Sequence, residues 1–339
     1  MLDMKSVASS HRSSRNAEPA PRLLRLDGTM ASLAKRDVDP SRHALVTYEG
    51  HNWLYLETDT PAAQALAYEL QLAPDFGLYI RGGDAAEYGS LSPGFIDHLL
   101  KSFGFICLRN FPFRNKDDFV AYCRRFGEIY HWPFGPLHVV KPEDEPDGFV
   151  HSLEKAPLHW DLGLHPLDDE NVRKNEWFCA NKFMLYCKTP PRNGEGQTIV
   201  VSGRQVLRLA GSQQVERWRR VQITYSTRKT YFGGDPRTYP LVHTHPETGE
   251  PIFRYQEGSE SELQSLRLHS HDIAADEFEA FVEEINRLAY DPRCIIAHDW
   301  NANDLLIVDN YLTLHGRLPM TEESRSRELW RVQTVLPAR

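Results

Sequence analysis

Two side chains near the middle of the chain have the types and spacing to bind a transition metal. His159 and Asp161 flank Trp160 at the end of a short Pro-Leu-His-Trp-Asp run. In an extended strand, residues two apart point to the same face, so the imidazole and the carboxylate would project together while the indole faces away. A facial set of two histidines and one carboxylate leaves open positions on Fe(II) for oxygen chemistry, and this pair would supply two of its three members.

A third ligand is available near the C-terminus. An apolar run, Leu305–Val308, ends in a polar turn at Asp309 and Asn310, and His315 follows it. His315 is far from His159 along the chain, so the two imidazoles would have to come from different strands of one β structure. Taken singly, each of these residues is better explained as a surface or buried structural residue.

Two arginines follow the candidate third ligand. Arg327 and Arg331 are four residues apart, so they share a face if the segment is a strand. Arginine is the side chain that binds a carboxylate with two parallel hydrogen bonds. An isolated pair of this kind is usually part of a solvated face, but this one follows His315 by about the length of a turn and a returning strand.

Together these segments resemble the taurine dioxygenase (TauD/TfdA-like) family of Fe(II)- and 2-oxoglutarate-dependent dioxygenases. The similarity covers roughly residues 90 to 335, in the order that the family has. The motifs that carry it are His159-Trp160-Asp161, Asn310 with His315-Gly316, Arg327 with Arg331, Gly104–Arg109, Phe126–Glu128, Pro190–Thr198 and Pro240–Gly249. The resemblance implies a double-stranded β-helix, which is a distorted, cupin-like jelly roll.

The resemblance also implies roles for individual residues. His159, Asp161 and His315 would ligate Fe(II). Thr198 and Arg327 would hold the distal carboxylate of the cosubstrate 2-oxoglutarate. The turn before Thr198 departs from the family pattern, which often has adjacent glycines and an acidic residue, so Thr198 is less firmly assigned than the three ligands.

Three further residues are implied to lie near the substrate. Arg331 would contact either the cosubstrate or an anionic group of the substrate. Trp132 and Lys155 fall at positions where the family often contributes to the substrate pocket. Halogenating relatives have a small residue in place of the ligand carboxylate, so the presence of Asp161 favours hydroxylation or desaturation.

The implied activity is oxidation of a small organic molecule with Fe(II), 2-oxoglutarate and O2, and with release of succinate and CO2. The substrate could be derived from an amino acid or be an intermediate of a natural product. Two alternatives stay open: a metal-binding β-barrel without catalysis, and a zinc hydrolase that uses the pairs His243/His245 and His269/His271. A hydrolase would have no need of Arg327.

The elements that must position these residues are mostly short strands. From about residue 157 the chain is a series of β-type runs separated by turns that carry Gly or Pro. Helices are predicted from Ser92-Pro93 to Gly104, from about Asn115 to Phe126, and over about Ala275–Tyr290. The pattern predicts a mainly β fold of the jelly-roll type with peripheral helices.

The N-terminal segment differs from the rest of the chain. Residues 1–45 are rich in Ser, Arg, Pro and Ala without periodicity, which predicts a poorly ordered arm. Leu23–Leu26 is its one apolar cluster. No linker or internal repeat interrupts the remainder, so residues 46–339 are predicted to form a single dioxygenase domain.

Composition excludes several classes of protein. With 39 Lys+Arg against 47 Asp+Glu, the net charge of −8 argues against a nucleic-acid partner. No apolar run approaches the roughly 18 residues that a membrane span needs. The five cysteines are scattered, and the first residues lack the apolar stretch of a secretory signal, which together favour a reducing cytoplasm. The expected partner is a small-molecule substrate, and a homo-oligomer is left open.

Overall fold

The computed structural model describes most of the chain. The described residues fall into two compact units, Met1–Phe113 and Arg114–Arg339, and each unit is treated by itself below. The prediction of one domain over residues 46–339 therefore stays a prediction. The residues described are 22–26, 43–48, 51–56, 67–72, 76–81, 93–164, 179–227 and 236–336.

The described residues of the first unit form two groups of strands and one helix. Strands β1, β3 and β2 form an antiparallel sheet in that order, β4 pairs antiparallel with β5, and β5 pairs parallel with β6. Helix α1 lies between β5 and β6 in the chain and ends as predicted, because Gly104 adopts a φ of 72° that favours glycine. The bounds are β1 (Arg22–Leu26), β2 (His43–Tyr48), β3 (His51–Leu56), β4 (Ala67–Leu72), β5 (Phe76–Arg81), α1 (Pro93–Phe103) and β6 (Phe105–Arg109).

Two strands fall within the predicted N-terminal arm. β1 covers the apolar cluster at Leu23–Leu26, and β2 begins at His43. Both strands pair with β3. The structure has paired strands at these residues, where the sequence predicts a poorly ordered arm. The rest of residues 1–42 lies outside the described part of the chain.

The second unit is mainly β. One group of strands has the order β18-β10-β20, with β7 and β8 both pairing with β20, and a four-stranded sheet has the order β17-β11-β19-β9. Two smaller sheets are β13-β12-β16 and β14-β15. The strands are β7 (Glu128–Ile129), β8 (His138–Val140), β9 (Ala156–His159), β10 (Lys182–Thr189), β11 (Thr198–Ser202), β12 (Gln222–Thr227), β13 (Arg237–Pro240), β14 (Val242–Thr244), β15 (Pro251–Phe253), β16 (Leu266–His269), β17 (Ile295–His298), β18 (Leu305–Asp309), β19 (Thr313–Arg317) and β20 (Glu328–Val335).

In the described part of this unit, three helices accompany these strands: α2 (Lys116–Cys123), α3 (Gly203–Trp218) and α4 (Phe278–Ala289). The Asn115 side chain caps α2 by accepting from the Asp118 N–H, and a 3-10 turn, Arg124–Phe126, continues it to the predicted end. The α4 helix is shorter than predicted. We did not predict α3, which is interrupted by a non-helical Gly211.

Helices α3 and α4 pack with the four-stranded sheet around one hydrophobic core. Its members include Trp218 of α3, Ile285 of α4, Val201 of β11 and Leu314 of β19, all fully buried. This packing supports the four-stranded sheet. Strands β9 and β19 of that sheet carry the candidate ligands His159 and His315. Within the described part of the chain, no helix is long and apolar enough to cross a membrane.

Candidate active site

The three predicted metal ligands lie together. Strand β9 pairs with β19 so that His159 stands opposite His315, with 4.2 Å between the ring centroids. Oδ1 of Asp161 lies 3.7 Å from Nε2 of His159 and 3.5 Å from Nε2 of His315. One ligand atom from each of the three residues lies within 4.8 Å of the other two. Two nitrogens and one oxygen in such a cluster are a suitable donor set for Fe(II).

Strand alternation predicted that Asp161 lies on the same strand as His159, and this prediction is wrong. Strand β9 ends at His159, so Asp161 lies past the strand rather than on it. Its N–H donates to Oδ1 of Asn310 (2.9 Å), and Nδ2 of Asn310 donates back to its carbonyl oxygen (3.1 Å). Leu162 then takes a left-handed φ of 63°. The Asn310 clamp holds the main chain of the ligand through this strained turn.

Hydrogen bonds and packing orient both histidines. Nδ1 of His159 lies 2.8 Å from the carbonyl oxygen of Pro157, which makes Nδ1 the protonated nitrogen and leaves Nε2 as the metal-binding atom. His315 packs against Phe183 with 4.0 Å between ring centroids. Burial, with a contribution from the neighbouring His159, lowers the pKa of His315 to about 4. The imidazole is therefore neutral at pH 7, as a metal ligand must be.

The Asp161 carboxylate is held in its ionised form. Burial by itself would raise its pKa, but the neighbouring Arg331 guanidinium holds the pKa of the Asp161 carboxyl well below the usual range. Nη1 of Arg331 lies 3.8 Å from Oδ1, and Nε2 of Gln333 donates to Oδ2 over 2.6 Å. Gln333 was not found from the sequence. The available signal was its place two residues after Arg331, on the same face of β20.

Arg327 provides a buried positive charge at the cavity. Its side chain is 2% exposed, and Nε and Nη1 have no hydrogen-bond partner in the protein. Burial, together with the nearby charge of Arg317, lowers its pKa to about 9. A buried guanidinium without a carboxylate is costly unless an anion binds it, so this position fits the carboxylate of a cosubstrate. Thr198 lines the same cavity and accepts from Nε1 of Trp300 over 3.2 Å.

Arg317 is a second cavity arginine that sequence reasoning missed. It lies opposite Thr198 in the β11–β19 pairing, and it donates to the carbonyl oxygen of Ser152 over 2.8 Å. Burial lowers its pKa to about 10. The signal in the sequence was its position two residues after His315, which places both side chains on one face of β19. Arg317 and Arg327 make this part of the cavity strongly positive.

A chain of hydrogen bonds holds Arg331. Its Nη2 lies 2.9 Å from Nδ1 of His138, and Nε2 of His138 lies 2.9 Å from Nε2 of His151. Nδ1 of His151 in turn lies 3.0 Å from the carbonyl oxygen of Lys141. Because arginine only donates and a carbonyl only accepts, both histidines are neutral and each has one tautomer. Burial, then the charge of Arg331, lowers the pKa of His138 to about 3.

The three candidate ligands, Thr198 and the three arginines border one cavity of about 320 Å3. On one wall Trp132 stacks on Phe134, with ring centroids 5.7 Å apart and planes 7° apart. Trp132 thus lines the cavity, and its role at the substrate stays a prediction. The wall includes His159, Asp161, His315, Thr198, Arg317, Arg327, Arg331, Gln333, Trp132, Phe134, His138, Phe183 and Gln256.

Lys155 is not among the residues that line this cavity. Its ammonium group donates to Oε1 of Glu257 over 2.8 Å and lies 4.8 Å from the centroid of the Tyr290 ring. Glu257 also accepts from the N–H of Leu158 and from the Tyr290 hydroxyl. Lys155 thus contacts Glu257, the same residue that binds the main chain of β9 at Leu158. Its role at the substrate stays a prediction.

The two His-x-His pairs lie elsewhere. Nδ1 of the buried His245 accepts from the N–H groups of Glu247 and Thr248, which closes a turn. His269 and His271 contact each other edge to face, with 4.2 Å between centroids. Neither pair belongs to a group of three potential metal ligands among the described residues. The geometry therefore gives a zinc hydrolase no support.

A known sequence family matches most of the chain. The profile of the taurine catabolism dioxygenase TauD, TfdA family matches residues 70–333. The 3-((Z)-2-isocyanoethenyl)-1H-indole synthase of Fischerella ambigua is 26% identical over 81% of this chain and 98% of its own length. The tyrosine isonitrile desaturase of Pseudomonas aeruginosa is 28% identical over 78% of this chain and 89% of its own.

Solved structures show the same fold. The crystal structure of PvcB from Pseudomonas aeruginosa superposes with a TM-score of 0.64 at 26% identity and covers 81% of this chain and 94% of PvcB. PvcB is described as an Fe, α-ketoglutarate dependent oxygenase from an isonitrile synthetic pathway. A taurine dioxygenase from Burkholderia xenovorans, 18% identical, superposes with a TM-score of 0.59 over 80% of this chain and 91% of its own. These matches confirm the predicted jelly-roll class, although the strands form separate sheets rather than one closed barrel.

Proposed function

Because the chain belongs to the TauD, TfdA family of taurine catabolism dioxygenases, we propose that His159, Asp161 and His315 hold its Fe(II). The protein is a 2-oxoglutarate-dependent non-haem iron dioxygenase that oxidises a small molecule. The observation that supports the ligand assignment is the cluster itself, with both histidine Nε2 atoms within 3.7 Å of one carboxylate oxygen.

Arg327 binds the distal carboxylate of 2-oxoglutarate in this proposal, with Thr198 beside it. The buried guanidinium atoms without partners support this role, because a carboxylate would satisfy them with two parallel hydrogen bonds. Arg317 adds positive charge on the same side, while its Nη1 and Nη2 groups stay bound to main-chain carbonyls. The cosubstrate therefore enters a positive, water-poor end of the cavity, where such bonds are strong.

Iron, 2-oxoglutarate and O2, when bound, supply the power to remove hydrogen from an unactivated C–H bond, with release of succinate and CO2. The protein's own part is to hold three ligands on one side, to bind the cosubstrate carboxylate, and to place the substrate carbon next to the metal. His315 is held neutral and Asp161 ionised, so these two ligands need not lose protons when a metal binds at pH 7.

We propose that the substrate is an isonitrile derived from an aromatic amino acid and that the reaction is desaturation. Relatives of 26% and 28% identity are named for an isocyanoethenyl indole and for tyrosine isonitrile. In this chain, Trp132 and Phe134 offer an aromatic wall for such a ring, and Arg331 offers a cation for a carboxylate. Desaturation removes two hydrogens from adjacent carbons, while O2 and 2-oxoglutarate yield water, succinate and CO2.

We also propose that the enzyme acts in a reducing cytoplasm and binds neither nucleic acid nor a membrane. The five cysteines are scattered along the chain and buried, which suits a compartment that keeps thiols reduced. The net charge of −8 disfavours contact with phosphate backbones.

The test is an assay of the full chain with Fe(II), 2-oxoglutarate, O2 and either tyrosine isonitrile or an indole isonitrile. Succinate formation that depends on all components, with a product lacking two hydrogens by mass spectrometry, is the expected result. His159→Ala should abolish it, while His271→Ala, an exposed residue outside the cavity, should not. A product that gains one oxygen would replace desaturation by hydroxylation, and activity that survives His159→Ala would refute the ligand assignment.

A further inference from the structure

Gln333 connects the aromatic wall of the cavity to the candidate iron ligand Asp161. The indole N–H of Trp132 donates to Oε1 of Gln333 over 2.8 Å. Nε2 of Gln333 donates to Oδ2 of Asp161 over 2.6 Å. Gln333 and Asp161 are 2% and 5% exposed, so the bond between them lies in a low-dielectric environment, and the bond to Trp132 is partly buried.

Only one orientation of the Gln333 amide satisfies both neighbours. The ionised carboxylate of Asp161 can only accept, so the amide NH2 must face it. The indole N–H of Trp132 can only donate, so the amide oxygen must face the indole. The two contacts therefore fix the glutamine from both ends, and Trp132 acts on Asp161 through it.

The two carboxylate oxygens of Asp161 have different neighbours. Oδ2 is taken up by the short amide bond, whereas Oδ1 faces Nε2 of His159 and Nε2 of His315 at 3.7 and 3.5 Å. A carboxylate held in this way offers one oxygen to the metal. The coordination positions that a second oxygen would occupy stay available for the cosubstrate.

We propose that Trp132 and Gln333 form a positioning relay that makes Asp161 a one-oxygen ligand of the iron. The proposal rests on the ligand assignment made above. Trp132 is thus a positioning residue as well as a wall of the cavity, because its ring stacks on Phe134 while its N–H holds Gln333. Outer partners of this kind tune a metal site through the ligand that they orient.

Metal affinity of the metal-free full chain is the measurement, with Co(II) as the probe and isothermal titration calorimetry as the method. Gln333→Leu removes the amide and should weaken Co(II) binding by about 10- to 100-fold. Trp132→Phe keeps an aromatic ring but removes the N–H, and should weaken it by about two- to ten-fold. The visible absorption bands of bound Co(II) should change in both variants, since a loosened carboxylate alters the coordination geometry.

Two matched controls separate this role from a general loss of packing. Gln197→Leu removes a similar amide bond, from Nε2 to Oδ1 of Asp299 over 2.9 Å, outside the cavity. Trp330→Phe removes an indole bond to Glu328 over 2.7 Å on the same strand as Gln333. Neither control should alter the Co(II) affinity by more than about two-fold or change the Co(II) spectrum.

His159→Ala, measured in the same way, distinguishes failure of the relay from failure of the proposed function. Loss of Co(II) binding in His159→Ala with unchanged binding and spectrum in Gln333→Leu would overturn the relay and leave the iron site standing. Unchanged Co(II) binding in His159→Ala would overturn both. Weakening in Gln333→Leu and Trp132→Phe, with intact controls and loss in His159→Ala, supports both.

Discussion

Arg327 and Arg331 have the same chemistry and lie four residues apart, yet their surroundings differ. Nη2 of Arg331 is bound to His138, and Nη1 lies 3.8 Å from Asp161. Arg327 has Nε and Nη1 without partners in a buried position. With two unpartnered nitrogens, Arg327 is better prepared to bind the cosubstrate carboxylate in two places than Arg331, in which only Nε lacks a partner.

Arg327→Lys should therefore raise the KM for 2-oxoglutarate. Lysine keeps the charge but loses the planar fork, and a loss of about 1.4 kcal/mol of bidentate bonding corresponds to about ten-fold. Steady-state kinetics with each substrate varied in turn measures the effect. The KM for the oxidised substrate should move less, and a change confined to that KM would exchange the roles of Arg327 and Arg331.

Asp161→Ala should abolish turnover with little loss of folding. The residue lies at the cavity and its main-chain bonds to Asn310 are kept, so no apolar packing is lost. Two imidazoles alone hold Fe(II) weakly. Succinate release and the thermal melting temperature measure the two effects. Normal turnover with stoichiometric iron in this variant would show that another carboxylate is the ligand.

The metal-free protein should lose stability as the pH falls from 7 to 5.5. His138 and His315 have pKa values of about 3 and 4 in the folded chain, against about 6.5 when unfolded. Below pH 6.5 the unfolded chain therefore binds protons that the folded chain does not, which lowers the free energy of unfolding by about 1 kcal/mol for each histidine at pH 5.5. The window lies above the range in which carboxylates titrate.

Denaturant unfolding at pH 7 and 5.5 measures this loss. His138→Phe should reduce the difference between the two pH values, because it removes one of the two histidines while keeping a ring against Phe134. The exposed His131→Gln serves as the control for loss of an imidazole. If the free energy of unfolding depended equally on pH in the wild type and in His138→Phe, His138 would not be a source of the lost stability.

At the scale of elements, the close approach of β9 and β19 brings the two histidines together. A Cβ atom on Gly316 would lie 2.7 Å from the carbonyl oxygen of Ala156 and 3.2 Å from the Ile199 side chain. Gly316 therefore allows β19 to lie against β9 on one side and β11 on the other. A larger residue at this position would push apart the strands that carry His159 and His315.

Gly316→Ala should destabilise the protein by about 1–3 kcal/mol, the usual cost of overpacking. It should also weaken Co(II) binding, since the distance between the two imidazoles depends on this strand contact. Denaturant unfolding and calorimetry measure the two effects. Gly249→Ala is a control at a glycine with open space around it, where only the backbone strain of a φ of 74° applies. Unchanged metal binding in Gly316→Ala would mean that the strands adjust without moving the ligands.

The sequence was sufficient where a local pattern determines the structure. The caps at Asn115 and Gly104 predicted helix ends, and the residue types at His159, Asp161 and His315 predicted the cluster. It was insufficient where position depends on a distant partner. Asp161 lies beyond β9 and is held by Asn310, a contact between residues far apart in the chain that no spacing rule supplies.

Strand periodicity could have found more of the site than it did. Arg317 lies two residues after His315, and Gln333 two after Arg331, so each shares a face with a candidate that we had identified. Both line the cavity. His138 and His151 gave no such signal, because they come from a short strand and a 3-10 turn whose contact is purely tertiary.

At the scale of the whole molecule, every residue that lines the cavity belongs to the second unit, Arg114–Arg339. The first unit contains the three-stranded sheet β1-β3-β2, in which β1 is an edge strand. Deletion of residues 1–29, so that the chain begins at Met30, removes β1 and leaves β2 and β3 as a hairpin. Two strands alone are marginally stable in water, so the amides of β2 and β3 should lose their protection from hydrogen exchange.

The deletion should therefore destabilise the pairing of β2 and β3 without affecting the binding of metal and cosubstrate. Hydrogen exchange of the β2 and β3 amides should speed up, because their pairing loses a third strand. The affinities for Co(II) and 2-oxoglutarate should stay within about two-fold of the full chain, since no ligand or cavity residue is removed. Exchange monitored by mass spectrometry and calorimetry on the same samples measure both. A loss of Co(II) affinity of ten-fold or more would show that the iron site depends on the N-terminal strands.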